Sequence, residues 1–266
     1  MATFEGLSKR RSPRSFELAG QSFHLVMDAG HDYTVNFLTG ETLVWNLPGE
    51  AMCGETYECM KIDETTYFVN VEITGSKPRT GATLVLDTEQ SLVTLLLAFQ
   101  GTNPKNPALI TTRFVFGAIK VDGEELPRKR HGYTTDLVGK KIAWHYGDGG
   151  AAVHIYYHPN FYRLRAEGRP RTPEQIALRE KFPDDEPTTY VKIKRNLYLV
   201  SMIEVTHFLR GGNGNNLVVL IDTDRVHDVG RSFGLDPFGK PENYLYGTVG
   251  VWREEDEEPF VSPYRV

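Results

Sequence analysis

Four pairs of side chains in the second half of the chain carry groups suited to proton transfer and charge stabilisation: Trp144 with Tyr146, His154 with Tyr156, His227 with Arg231, and Tyr244 with Tyr246. Imidazole titrates near neutrality, phenols orient substrate oxygens, and a guanidinium stabilises developing negative charge. Members of each pair stand two or four residues apart, so on an extended strand they share a face. Glu204 joins the set, because it follows Tyr198, Val200 and Met202 in the same phase. A carboxyl held in an apolar pocket has its pKa raised and can act as a general acid or base. If the shared face points inward, these residues line a pocket with apolar walls and a few convergent polar groups, the usual form of a small-molecule site. His154, Glu204, Arg231 and Tyr244 are then the expected catalytic groups. Trp144, Tyr146, Tyr156, Tyr198, His227 and Tyr246 are the expected substrate-binding groups. If the face points outward, the same polar tips simply reach the rim or solvent.

The elements that position these residues follow from an internal duplication. Leu18-Ala19-Gly20 returns as Leu137-Val138-Gly139, Lys61-Ile62 as Lys192-Ile193, Leu84-Val85-Leu86-Asp87 as Val219-Leu220-Ile221-Asp222, and Phe114-Val115-Phe116-Gly117 as Tyr244-Leu245-Tyr246-Gly247. The spacing between copies drifts only through loop insertions, as in a diverged tandem repeat. Each copy reads as eight short runs rich in β-branched and aromatic residues, separated by turn residues. In copy one they lie near 22–27, 32–38, 42–47, 56–62, 66–73, 82–87, 92–99 and 110–119. In copy two they lie near 140–146, 151–157, 161–165, 188–193, 197–205, 216–222, 226–233 and 243–252. Such a meander removes its exposed edges by closing, so the expected fold is all-β, two tandem eight-stranded up-and-down barrels, each wide enough for one small ligand. A two-sheet sandwich is the fallback. One helix is expected over 173–182, behind Thr172 as N-cap and before Pro183. The expected divisions are a flexible arm over 1–15, a first barrel over 16–130, a second over 131–252, and an acidic tail over 253–266.

The repeat also supplies an internal control. Leu25 and Met27 become Trp144 and Tyr146, Val35 and Phe37 become His154 and Tyr156, Leu92 and Leu96 become His227 and Arg231, and Phe114 and Phe116 become Tyr244 and Tyr246. This pattern predicts a first barrel packed with hydrocarbon and a second one carrying the site. A cleft between the barrels, recruiting Asn70, Glu72 and Arg113, is a further possible location.

Composition narrows the function. A net charge of −5 argues against a nucleic-acid surface, and no apolar run is long enough to span a membrane. The two cysteines, Cys53 and Cys59, read as reduced thiols of a cytoplasmic protein. His154 and His158 lie about 13 Å apart along a strand, too far to share a metal. The glycines from Gly211 to Gly214 join two strands rather than opening a helix, so they form a hairpin loop and not a phosphate cradle. No metal or cofactor is expected, the expected partner is a hydrophobic small molecule, and assembly into a homodimer is open.

The chain resembles the molybdenum cofactor biosynthesis protein F (MoaF) family. The resemblance is carried by Leu18-Ala19-Gly20 with Thr42-Leu43-Val44-Trp45, by Leu84-Val85-Leu86-Asp87, by Asp136-Leu137-Val138-Gly139-Lys140, and by Gly230-Arg231-Ser232-Phe233-Gly234 with Gly239-Lys240-Pro241. It spans about residues 16 to 252. That family is similar to lipocalins and other calycins, which implies tandem barrels with a cofactor-free small-molecule site. Two functions are expected from this. The first is a cofactor-free lyase, isomerase or cyclase acting on an aromatic, polyketide or terpenoid-type metabolite of secondary metabolism. The second is a non-catalytic carrier, or an accessory protein to a molybdoenzyme pathway.

Overall fold

Side chains alternate between an inner and an outer row along each strand, and in strands such as Thr66–Ile73, Arg79–Asp87 and Leu197–Ile203 both rows are buried. The computed structural model describes residues 10–46, 52–106, 108–147, 150–168, 171–182, 185–236 and 238–254. Strands β1 (Ser22–Met27), β2 (Asp32–Phe37), β3 (Thr42–Asn46), β4 (Met52–Lys61), β5 (Thr66–Ile73), β6 (Arg79–Asp87), β7 (Leu92–Gln100) and β8 (Ile110–Lys120) run antiparallel in sequence order. β8 closes the barrel on β1 through Leu25 opposite Ile119 and Met27 opposite Gly117.

The second barrel repeats this plan. It comprises β10 (Lys140–Trp144), β11 (Ala151–His158), β12 (Phe161–Glu167), β13 (Asp185–Lys194), β14 (Leu197–Ile203), β15 (Asn216–Asp222), β16 (His227–Leu235) and β17 (Pro241–Trp252). β12 pairs with β13, and β17 closes on β10. The two-residue β9 (Gly132–Tyr133), not expected from the sequence, pairs with β13. Helix α1 (Pro173–Lys181) starts at Thr172 with a reciprocal capping box to Gln175. A second helix, α2 (Val205–Leu209), takes over where a longer fifth strand was expected.

Two devices recur in both copies and show what the repeat preserves. The Leu-x-Gly turns place fully buried Leu18 and Leu137 across one end of each barrel. Gly20 and Gly139, at φ of 79° and 88°, then donate to Phe37 and Tyr156 carbonyls at 2.7 Å. Only glycine adopts that left-handed backbone without strain. At the same end, Lys61 and the Tyr67 hydroxyl meet Glu17, while Lys192 and the Tyr198 hydroxyl meet Asp136. One end of each barrel is thus plugged and latched.

The outer rows of the barrels pack on each other. Phe68, Val85, Leu96 and Ala98 of the first barrel meet Val191, Leu199, Val218, Leu220, Val229, Phe233 and Leu245 of the second in one buried cluster. Arg79 spans this seam. It is paired with Glu72, donates to the Gly234 and Glu242 carbonyls at 2.7 and 2.9 Å, and stacks on Phe233. Residues 10–15 also cross it: the Ser15 N–H donates to the Cys59 carbonyl at 2.8 Å, and Ser12 bonds His227 at 2.8 Å. Of the expected acidic tail, residues 255–266 lie outside the described residues.

Candidate functional site

Strand pairing fixes which residues of the two barrels are equivalent, and that comparison separates an open interior from a filled one. In the first barrel the inner row at the unplugged end consists of Met27, Tyr33, Trp45, Ile73, Leu95, Leu97, Arg113 and Val115, around a cavity of about 760 Å³. That volume lies within the range of roughly 300–1,000 Å³ common for small-molecule sites. The turns after β1 and β5 and the first residues of β4 form the mouth, with Ala29, His31, Lys77 and Gly54. Trp45 is fully buried against the cavity, and its indole N–H has no acceptor among the described residues. A buried donor without a partner costs about 1–3 kcal/mol. Glu55 also lines the cavity, but its carboxylate is committed to the Thr74 N–H, at 3.0 and 3.1 Å, and to the Thr74 hydroxyl at 2.6 Å.

In the second barrel the same space is occupied. Leu95 pairs with Val115 in β7 and β8, and Gly230 pairs with Tyr246 in β16 and β17, so Val115 corresponds to Tyr246 and Leu95 to Gly230. A Cβ on Gly230 would stand 2.9 Å from the Tyr246 ring. Loss of the leucine side chain therefore makes room for the tyrosine. Tyr146 takes the place of Met27, and Tyr244 that of Arg113. Trp144, Tyr156, Tyr162, Tyr190 and Tyr246 are each at most 3% exposed, so their rings fill the barrel rather than line a vacancy.

The filled interior does contain acid–base groups. The Tyr146 hydroxyl donates to Asp228 Oδ2 at 2.6 Å, and the Thr248 N–H donates to Oδ1 at 2.7 Å. Burial pushes the Asp228 carboxyl up to about 7, which these two hydrogen bonds only partly oppose. His154 lies nearby between Trp144, Tyr156 and Tyr162, and burial pushes its imidazole down to about 3. At the mouth, burial raises Glu186 to about 7, although it accepts the Thr206 and His207 N–H groups and the Thr206 hydroxyl. This contact repeats Glu55 with Thr74, so it fastens the turn after the fifth strand in both copies.

Of the residues singled out from sequence, Trp144, Tyr146, His154, Tyr156, Tyr244 and Tyr246 do share the second barrel's interior. Glu204 stands at the N-cap position of α2 without a side-chain capping bond, its carboxylate 3.7 Å from His207 Nδ1. Tyr198 belongs to the same interior cluster at its plugged end, where its hydroxyl joins the latch. Two others are placed elsewhere. His227 and Arg231 lie in the outer row with Val229 and Phe233, because the strand alternates and Asp228, Gly230 and Ser232 hold the inner positions. Arg231 is fully buried between the barrels. It donates to Asn216 Oδ1 at 3.1 Å, while its Nε and Nη1 have no acceptor among the described residues.

Tyr244 and Tyr246 reach the interior for a different reason from the one expected. Their true counterparts are Arg113 and Val115, one position away from the Phe114 and Phe116 of the sequence comparison, and a one-residue slip exchanges the faces of a strand. Phe114 and Phe116 lie in the outer row of β8, against exposed Tyr133. The same comparison passed over Asp228, whose counterpart is Val93. A carboxylate replacing an inner-row valine was the available signal.

Two closed antiparallel barrels, plugged at one end and fused along their outer faces, define a tandem up-and-down β-barrel protein whose first barrel holds an open chamber. Its family follows from sequence: residues 2–99 match the MoaF N-terminal domain and residues 131–252 the MoaF C-terminal domain. The chain belongs to the MoaF family. No curated protein matches it. Among the described residues, no helix is long and apolar enough to cross a membrane.

Proposed function

We propose that this chain binds a hydrophobic small molecule in its first barrel, as a carrier or accessory protein. The observation that carries this reading is the 760 Å³ chamber, walled by aliphatic and aromatic side chains and backed by the unpartnered Trp45 N–H. The chamber's counterpart in the other copy is closed by Tyr146 and Tyr246, so one duplicated unit supplies the site and the other supports it. A chain whose cysteines, Cys53 and Cys59, stand as thiols suits a reducing, cytoplasmic setting.

A cofactor-free lyase, isomerase or cyclase is the second reading. It is favoured by the Tyr146–Asp228 pair, a carboxyl and a phenol in hydrogen-bond contact with the carboxyl titrating near neutrality. Its difficulty is access, since both groups are enclosed by neighbouring rings. Proton transfer at this pair requires Tyr244 and Tyr246 to move.

The test is capture of metabolites by native mass spectrometry, using the whole chain and a Val115→Trp variant that fills the first chamber. Loss of capture in that variant, with capture kept in Tyr246→Phe, supports the binding reading. Capture that survives Val115→Trp overturns it. Conversion of a captured compound that is abolished by Asp228→Asn would establish the enzyme instead.

A further inference from the structure

We infer, resting on the first-barrel reading, that the ligand is an organic acid: an apolar body whose anionic group sits at Arg113 and whose far end presents an oxygen acceptor to Trp45. Arg113 occupies the inner row of β8, between Thr111 and Val115, and reaches the mouth, where its guanidinium is exposed. Among the described residues it makes no ion pair, and its positive charge is felt at the Tyr33 ring across the strand array. A guanidinium at the mouth of a chamber, with no carboxylate of the described residues on it, is a ready bidentate site for an anion.

The surrounding charges point the same way. Lys77 and His31 border the same cavity and also lack carboxylate partners among the described residues. Glu55, the acidic group in the lining, is already held by Thr74, so the mouth presents net positive charge inward. Below it the wall is apolar, through Met27, Leu95, Leu97 and Val115. Trp45 stands on β3, across the barrel from β8, and offers the buried donor that lacks an acceptor. Charge at one wall, hydrocarbon between, and a single N–H at the other define a bipolar ligand. Copy two has Tyr244 in place of Arg113, so this cationic mouth belongs to the first barrel alone.

Three matched probes test the assignment with the full chain by calorimetry: 6-methoxy-2-naphthoate, 2-naphthoate, which lacks the acceptor, and 6-methoxy-2-naphthalenemethanol, which lacks the charge. The methoxy acid should bind at least about tenfold more tightly than the alcohol, the effect of one charge-assisted hydrogen bond. Arg113→Gln should erase that difference by weakening the acid far more than the alcohol. Trp45→Phe should erase the difference between the two acids. In the wild-type chain, with its three tryptophans, the Trp45 indole N–H resonance should move with the methoxy acid and not with 2-naphthoate, a readout independent of how well that variant folds. Equal affinity for acid and alcohol overturns the anion assignment while leaving the chamber as a binding site. An unmoved indole resonance on methoxy acid binding overturns the acceptor assignment. Failure of all three probes to bind overturns the inference, and continued capture of metabolites by Val115→Trp overturns the first-barrel reading on which it rests.

Discussion

Replacing Asp228 by asparagine should make the protein progressively more stable than wild type as pH rises from about 4 to about 7. Asp228 is fully buried, and its carboxyl titrates near 7 in the folded protein against 3.8 in the reference state. Between those values the unfolded chain has lost the proton while the folded chain keeps it. The folded state therefore binds more protons, and wild-type stability falls with rising pH at 1.36 kcal/mol per unit. Over the full interval this group removes about 4 kcal/mol, and between pH 4.5 and 7.5 about 3 kcal/mol. Asparagine is nearly isosteric, retains an acceptor for the Thr248 N–H, and has nothing to titrate. Glu186 titrates in the same range, but it does so in both proteins and cancels from the difference. Urea unfolding at four pH values, followed through near-ultraviolet dichroism of the second barrel's tyrosines, gives the comparison directly. The gap between Asp228→Asn and wild type should widen by about 3 kcal/mol. A gap that stays constant within about 0.5 kcal/mol would refute the burial argument, since a solvated Asp228 contributes no such slope.

Tyr246→Val, which installs the first barrel's residue in the second, should cost about 3–5 kcal/mol, and millimolar phenol should raise the variant's melting temperature but not that of wild type. Arg231→Met should leave stability unchanged or raise it by about 1–3 kcal/mol in urea unfolding, because it removes a buried cation that has no counterion among the described residues. Gly139→Ala should destabilise by about 1–2 kcal/mol in the same assay, as its left-handed backbone resists a Cβ. Arg79→Met should split a single calorimetric unfolding transition into two, by cutting the clamp from Glu72 to the Gly234 and Glu242 carbonyls.

Sequence disclosed the duplication because the parts it preserves are local. A Leu-x-Gly plug needs a buried leucine and a glycine at positive φ, and both are visible as letters. The strands were equally legible, since each is short and bounded by turn residues, and the helix was marked by Thr172 as its N-cap and Pro183 beyond its end. The faces of the last two strands were not. In β17 one residue of slip turned Phe114 and Phe116 into false partners of Tyr244 and Tyr246. In β16 the outer row was taken for the inner one, since the fusion of the barrels buries outer residues as completely as inner ones. Arg231 and Leu96 therefore read as lining, when they form the seam.

The chamber itself was illegible for a deeper reason. A cavity is a balance of volumes among residues distant in sequence, and polar-tipped aromatics signal a site or a filled space equally well. Here they signal filling. Gly230 has no side chain and Tyr246 has a large one, so the pair occupies the volume that Leu95 and Val115 leave partly open. Duplication allows this divergence: with a chamber kept in one barrel, the other is free to exchange its own for a packed core. What the second barrel gains is a wall of fixed outer residues, from Val191 to Leu245, against which β5 to β8 of the first are held. Those strands include β8, which carries Arg113. Weakening the seam should therefore disturb ligand affinity from the outside, with no change to any residue that lines the chamber.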